Sequence, residues 1–142
     1  MRKALVPIDA SANALRALAY AISCLGKDPQ AELCLVTAHE PPVVYGEIAV
    51  YVTEARMAEL QRQEAETVLQ PAIDMAKAAG VKFTSHVLVG DIASTIARFA
   101  EQQGCDGIVM GTRGMGAIGN VFLGSIATKV VHLASVPVTL VK

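Results

Sequence analysis

Short apolar runs of strand length alternate with stretches of helical periodicity along the whole chain, and that alternation leaves few folds open. The strand-like runs are Lys3 to Ile8, Glu32 to Ala38, Lys82 to Val89, Asp106 to Met110 and Val136 to Val141. Between the first two, Ser11 is placed as an N-cap, Leu15, Leu18, Ile22 and Leu25 recur at helical steps, and Gly26 supplies a stop. A long helical stretch, Glu54 to Ala79, mixes core and surface at Met57, Leu60, Glu64, Val68, Ile73 and Ala76. Pro71 is expected to kink or divide it, since proline removes a backbone donor and clashes with the preceding turn. Gly80 ends it. Gly90-Asp91 then caps a helix whose Ile92, Ile96, Phe99 and Ala100 face inward before Gln103-Gly104 closes it, and Ile126, Val130 and Leu133, with Ala127 and Ala134, mark the last helix. Such βαβα units imply a doubly wound α/β domain with a mainly parallel five-stranded sheet. At 142 residues the chain reads as a single domain spanning 1–142.

Composition agrees with a sheet covered on both faces. Apolar residues make up 53% of the chain and charged ones only 18%, a balance that suits buried parallel strands or oligomer contacts. The opening Met1-Arg2-Lys3-Ala4-Leu5-Val6-Pro7 is too short in apolar residues for a signal-peptide core, and no apolar stretch reaches the roughly 18 residues of a membrane helix. The expected location is the cytoplasm, with neither a membrane nor a nucleic-acid partner. Cys24, Cys34 and Cys105 form no Cys-x-x-Cys pair and read as small buried hydrophobes kept reduced. His39, His86 and His132 show no zinc spacing; His39, at the end of a strand-like run, lies nearest the expected ligand.

Charge and glycine are distributed unevenly. From 107 to 142 the chain carries Arg113, Lys129 and Lys142 and no Asp or Glu, while all thirteen acids lie before it. Within that basic tail, Gly111-Thr112-Arg113-Gly114-Met115-Gly116-Ala117-Ile118-Gly119 follows a strand, and Gly124-Ser125 opens a helix. A strand, a glycine-rich loop and a helix start make a cradle for phosphate: glycine lets backbone N–H groups approach an anion, and the helix N-terminus adds unpaired donors and positive potential. In open α/β sheets ligands bind beyond the carboxyl ends of the strands. Asp9, Ala38 and Gly111 all end strands at that edge.

Gly111-x-x-Gly114, nine residues, then Gly124-Ser125 resembles the G-2x-G-9x-G-[S/T] pattern of the universal stress proteins. Val6-Pro7-Ile8-Asp9, Gly90-Asp91-Ile92-Ala93 and Val136-Pro137-Val138 resemble the family's motifs elsewhere, so the likeness covers the whole chain. It implies a flavodoxin-like, adenine nucleotide alpha hydrolase-like strand order 3-2-1-4-5, homodimerisation, and ATP binding in the members that keep these glycines. In that order the last strand, Val136 to Val141, is an apolar edge with only Lys142 charged, and the homodimer is expected to join through it. By the same resemblance Pro7, Ile8, Asp9 and Ala38 flank the adenosine, and Met110, Gly111, Arg113 and Gly114 run along ribose and phosphates. Gly124, Ser125 and Ile126 bind phosphates through backbone N–H groups. An accompanying Mg2+ or Mn2+ is held mainly by phosphates and water. A guanidinium with several backbone donors suits a triphosphate on chemical grounds as well, although Arg113 also reads as a plain surface charge and Asp9 as a cap of the first helix.

Two other motifs are weighed against this. Gly114-Met115-Gly116-Ala117-Ile118-Gly119 is literally G-x-G-x-x-G, but the dinucleotide fingerprint belongs at the first strand–helix turn with an acid about 20 positions on, and none follows here. No Walker lysine is present to stabilise a leaving phosphate. From Gly111 to Ser125 there is no Asp, Glu, Gln or His to orient water, so catalysis has little support. The leading reading is a nucleotide-responsive stress or signalling module. A slow ATPase of the same fold and a nucleotide-free interaction protein stay open.

Overall fold

The computed structural model describes residues 1–43, 46, 52–113 and 123–142. Along the chain lie β1 (Lys3–Pro7), α1 (Ala12–Leu25), β2 (Glu32–His39), α2 (Glu54–Ala79), β3 (Lys82–Val89), α3 (Ile92–Gln102), β4 (Gly107–Gly111), α4 (Ser125–Leu133) and β5 (Val138–Val141). The strands form one sheet in the order β3-β2-β1-β4-β5, every pairing parallel. The doubly wound parallel sheet expected from the alternation is present, in the 3-2-1-4-5 order that the resemblance implied. Central β1 is registered through Leu5 against Cys34 on one side and Ile108 on the other.

Successive strand residues point to opposite faces, and two cores result. Ala4, Val6, Leu33, Leu35 and Val109 meet Ala14, Ala17, Leu18 and Ala21 of α1 and Leu69, Ala72 and Ala76 of α2. On the other face Leu5, Cys34, Val36, Ile108 and Met110 meet Ala93, Ile96 and Ala100 of α3 and Ala127 and Val130 of α4. Alanine dominates the helical side of both cores, which lets the helices lie close on the large aliphatics of the sheet.

Pro71 does not divide α2, which runs unbroken for 26 residues from a Thr53 cap to Gly80 in the left-handed conformation. Its missing N–H deprives the Thr67 carbonyl of its helical partner, but both residues lie on the exposed side, within reach of water. The helix-interior cost of about 3 kcal/mol is offset on the opposite side by Leu69, whose burial alone is worth about 1.5–3 kcal/mol, together with buried Ala65, Ala72 and Ala76. This alanine-rich stripe, rather than the larger Met57 and Leu60, is the inward face; Leu60 is 40% exposed.

Three further expectations are corrected. Cys24 is exposed on the outer side of α1. Leu133 turns outward at the end of α4, 53% exposed, because Ala127 and Val130 already fill the inward positions. The final strand begins at Val138 rather than Val136. Pro137 accepts the Ile108 N–H through its carbonyl at 2.9 Å but has no N–H with which to join a ladder.

Candidate functional site

Each of the four helices begins at the end of the sheet where the parallel strands finish, so their N-termini gather there. Three of the four close themselves. Ser11 Oγ accepts the Ala14 N–H at the start of α1, Thr53 Oγ1 accepts the Arg56 N–H at the start of α2, and Asp91 accepts the Ser94 N–H at the start of α3. At α4 the N-cap is Gly124, which has no side chain to give, and no side-chain cap is made. The first N–H groups of a helix have no intrahelical acceptor, and among the described residues those of Ser125, Ile126 and Ala127, at the positive end of the α4 dipole, have no acceptor.

The route to that helix start is fixed by backbone bonds. Thr112, buried at 7% exposure, donates its N–H to the Val141 carbonyl at 2.9 Å and accepts the Gly124 N–H on its own carbonyl at 2.6 Å. The glycine-rich segment therefore leaves from and returns to one residue. This corrects the part assigned to Gly124: its N–H is engaged by Thr112, and its carbonyl accepts from both the N–H and the hydroxyl of Thr128. The donors facing outward begin one residue later.

Gly111 has a structural reason for being glycine. A Cβ there would stand 2.9 Å from Cβ of Asn13 and 3.2 Å from its carbonyl carbon, so the start of α1 packs directly on the end of β4. Asn13 donates from Nδ2 to the Arg113 carbonyl at 3.1 Å. Among the described residues the Arg113 guanidinium makes no ion pair. Gly114, the Gly114–Gly119 fingerprint and half of the 40–53 loop lie outside the described residues.

The structure brings Pro7, Ile8, Asp9, Ala38, Met110, Gly111, Arg113, Gly124, Ser125 and Ile126 to the same end of the sheet. Ile8 is buried and continues the β1 pattern by donating to the Val36 carbonyl at 2.7 Å. Half-buried Asp9 accepts from the Ser11 N–H at 2.9 Å and from the Ser11 hydroxyl through Oδ1. The capping itself is done by Ser11. His39 donates from Nδ1 to the Glu40 carbonyl at 2.9 Å, and its buried Nε2 has no partner among the described residues. Sequence reasoning missed Thr112 and Asn13. The signal for Asn13 was available: it is a polar residue beside Ala14, Ala17 and Leu18 on the inward stripe of α1.

Displaced ionisation at this edge belongs to Asp91, whose carboxyl the Ser94 hydroxyl and N–H hold below the usual range. At the opposite edge the Lys3 and Arg2 N–H groups do the same for Asp106. In the core between them, a thiol hydrogen bond from Cys105 brings Cys34 to about 7 against the opposing effect of burial, and the donating Cys105 thiol is pushed up. Among the described residues no group of three or more His, Cys, Asp or Glu is placed to hold a metal ion. None of the described helices is long and apolar enough to cross a membrane.

Comparison with known proteins agrees with this architecture. The model of the universal stress protein family matches residues 1–142. A universal stress protein of Thermus aquaticus is 40% identical over 139 residues, covering 97% of this chain and 96% of its own. The solved structure of MJ0577 superposes with a TM-score of 0.84 at 26% identity, covering 99% of this chain and 95% of the other. A universal stress protein solved in complex with cAMP superposes with a TM-score of 0.68 at 25% identity, covering 99% and 96%. The chain belongs to the universal stress protein family.

Proposed function

We propose that this chain binds an adenine nucleotide, ATP foremost, at the carboxyl edge of its sheet and acts as a nucleotide-responsive stress or signalling module. The observation that carries the reading is the uncapped start of α4. Where three helices use a side chain to satisfy one of their first N–H groups, this one has no such acceptor among the described residues, and Ser125, Ile126 and Ala127 can turn their N–H groups to a ligand. Phosphate oxygens suit that place by hydrogen bonding and by charge. Arg113 stands at the exit of β4 to add a charged donor, and Asp9 and Ala38, at the ends of β1 and β2, flank the position of the adenosine. The cAMP complex of a family member supports an adenine nucleotide as the ligand class. A divalent cation arriving with ATP would be held by phosphates and water, the nearest carboxylate, Asp9, being already hydrogen-bonded to Ser11. Chromatography of the perchloric-acid extract of natively purified protein is expected to release adenine nucleotide. A nucleotide-free extract together with no calorimetric heat on adding ATP would end the reading, and phosphate release during incubation would add hydrolysis to it.

The proposal extends to a homodimer through β5. This strand is a four-residue edge pairing only with β4, its residues half-buried, and Val131 and Leu133 of α4 are exposed. An apolar edge of this kind invites pairing with its own copy across a two-fold axis. Light scattering is expected to give twice the chain mass, and the chain mass after Val138→Asp with Leu140→Asp. A wild-type monomer would remove the dimer and leave the nucleotide site standing.

A further inference from the structure

Asn13 is 9% exposed, in the second position of α1, among residues that are otherwise small and apolar. Only an amide nitrogen can donate to a carbonyl, so its bond to Arg113 fixes the orientation of the amide: Nδ2 faces the Arg113 carbonyl, and Oδ1 points the other way. That Oδ1 is buried and has no hydrogen-bond partner among the described residues. A buried acceptor without a donor lowers stability, which offsets what the bond to the Arg113 carbonyl contributes. Gly111 lets the backbone at position 13 lie directly against the end of β4, since a Cβ there would meet Cβ and the carbonyl carbon of Asn13. A polar side chain with its oxygen unpaired among the described residues has its one bond on the backbone of the residue whose guanidinium the nucleotide reading assigns to phosphate.

We propose that Asn13 is a positioning residue for the nucleotide: it sets the peptide of Arg113, and through it the direction of the guanidinium, without touching the ligand itself. The proposal rests on the nucleotide reading and deepens it. Direct contact is ruled out by the burial of the amide oxygen; the amide acts through the chain 100 residues away in sequence. Because it works through Arg113, its effect belongs to the outer phosphates and not to the nucleoside.

The test is calorimetry with ATP and AMP on wild type, Asn13→Leu, Arg113→Ala and the double variant, beside thermal melts without ligand. Asn13→Leu is expected to melt near the wild-type temperature, the lost bond to Arg113 and the removed unpaired Oδ1 offsetting each other, to bind ATP about tenfold more weakly, a loss of about one log unit in Kd, and to bind AMP nearly as before. The double variant is expected to bind ATP no worse than Arg113→Ala alone, because the two changes break one path. Asn13→Ala serves the same comparison if the leucine does not fold. Wild-type ATP affinity in a folded Asn13 variant, or losses that simply add to those of Arg113→Ala, would overturn the proposal while leaving the nucleotide site intact. Failure of the wild type to bind ATP or AMP would overturn both.

Discussion

Asp91 and Gly124 stand in equivalent places, each between a parallel strand and the helix that follows, with N-cap angles of −60° and 122° for the one and −70° and 160° for the other. The two helices they begin pack on the same face of the sheet. Asp91 uses its carboxylate on the N–H and hydroxyl of Ser94, so the start of α3 carries its own negative acceptor. Gly124 offers only backbone, and the start of α4 is left to be completed from outside. The backbone alone therefore does not distinguish a structural helix start from a binding one. On the proposed reading, the distinction lies in whether the cap brings its own side-chain acceptor.

The sharpest way to break this difference is to give α4 the cap that α3 has. Gly124 has a negative φ open to any residue, so Gly124→Asp should fold and even gain a few tenths of a kcal/mol, the usual advantage of Asp over Gly at an N-cap. Its carboxylate would occupy the donors meant for phosphate and repel the ligand. ATP affinity is expected to drop by about a hundredfold or more, measured by calorimetry beside a thermal melt. An Asp variant that binds ATP normally would show that the start of α4 is not the phosphate site.

A smaller effect separates charge from backbone donors. Arg113→Ala removes one charged hydrogen-bond donor and is expected to weaken ATP about ten- to a hundredfold, from a loss of about 1.5–3 kcal/mol, with AMP much less affected. Equal losses for ATP and AMP would place the guanidinium away from the outer phosphates. The least effect is expected at the capped junction. The Ser94 contacts lower the Asp91 pKa in the folded state, so its contribution to stability is present above the unfolded carboxyl pKa of about 3.9 and is lost as pH falls through the lower folded value. Asn caps as well as Asp but does not titrate. Melts of wild type and Asp91→Asn should diverge only below about pH 4, the wild type losing more there. Parallel curves would mean that the Asp91 carboxylate does not support α3 as described.

Much of the fold was legible because parallel strands buried on both faces and amphipathic helices leave different periods in sequence, and because caps are local. Ser11, Gly26, Gly80 and Asp91 all act within a few residues of themselves. What escaped was set by partners distant in the chain or by balances of small terms. Pro71 is tolerated because Leu69 and three alanines are buried behind it. Gly111 is small because Asn13, nearly a hundred residues earlier, packs against it. At the candidate site, the glycine spacing pointed to the carboxyl end of the sheet. It did not reveal that Gly124 has its own N–H engaged by Thr112, a bond between two loop stems that no local pattern encodes.

That last bond has a further consequence. Because Thr112 holds both Val141 and Gly124, the segment between the stems is fastened at its base to the sheet independently of what lies along it. Closing a longer flexible segment over the same base costs only about 0.6 kcal/mol for each doubling of its length. The segment is thus an exchangeable insert: its length and composition can be rewritten, by evolution or in the laboratory, while the sheet beneath it keeps its register.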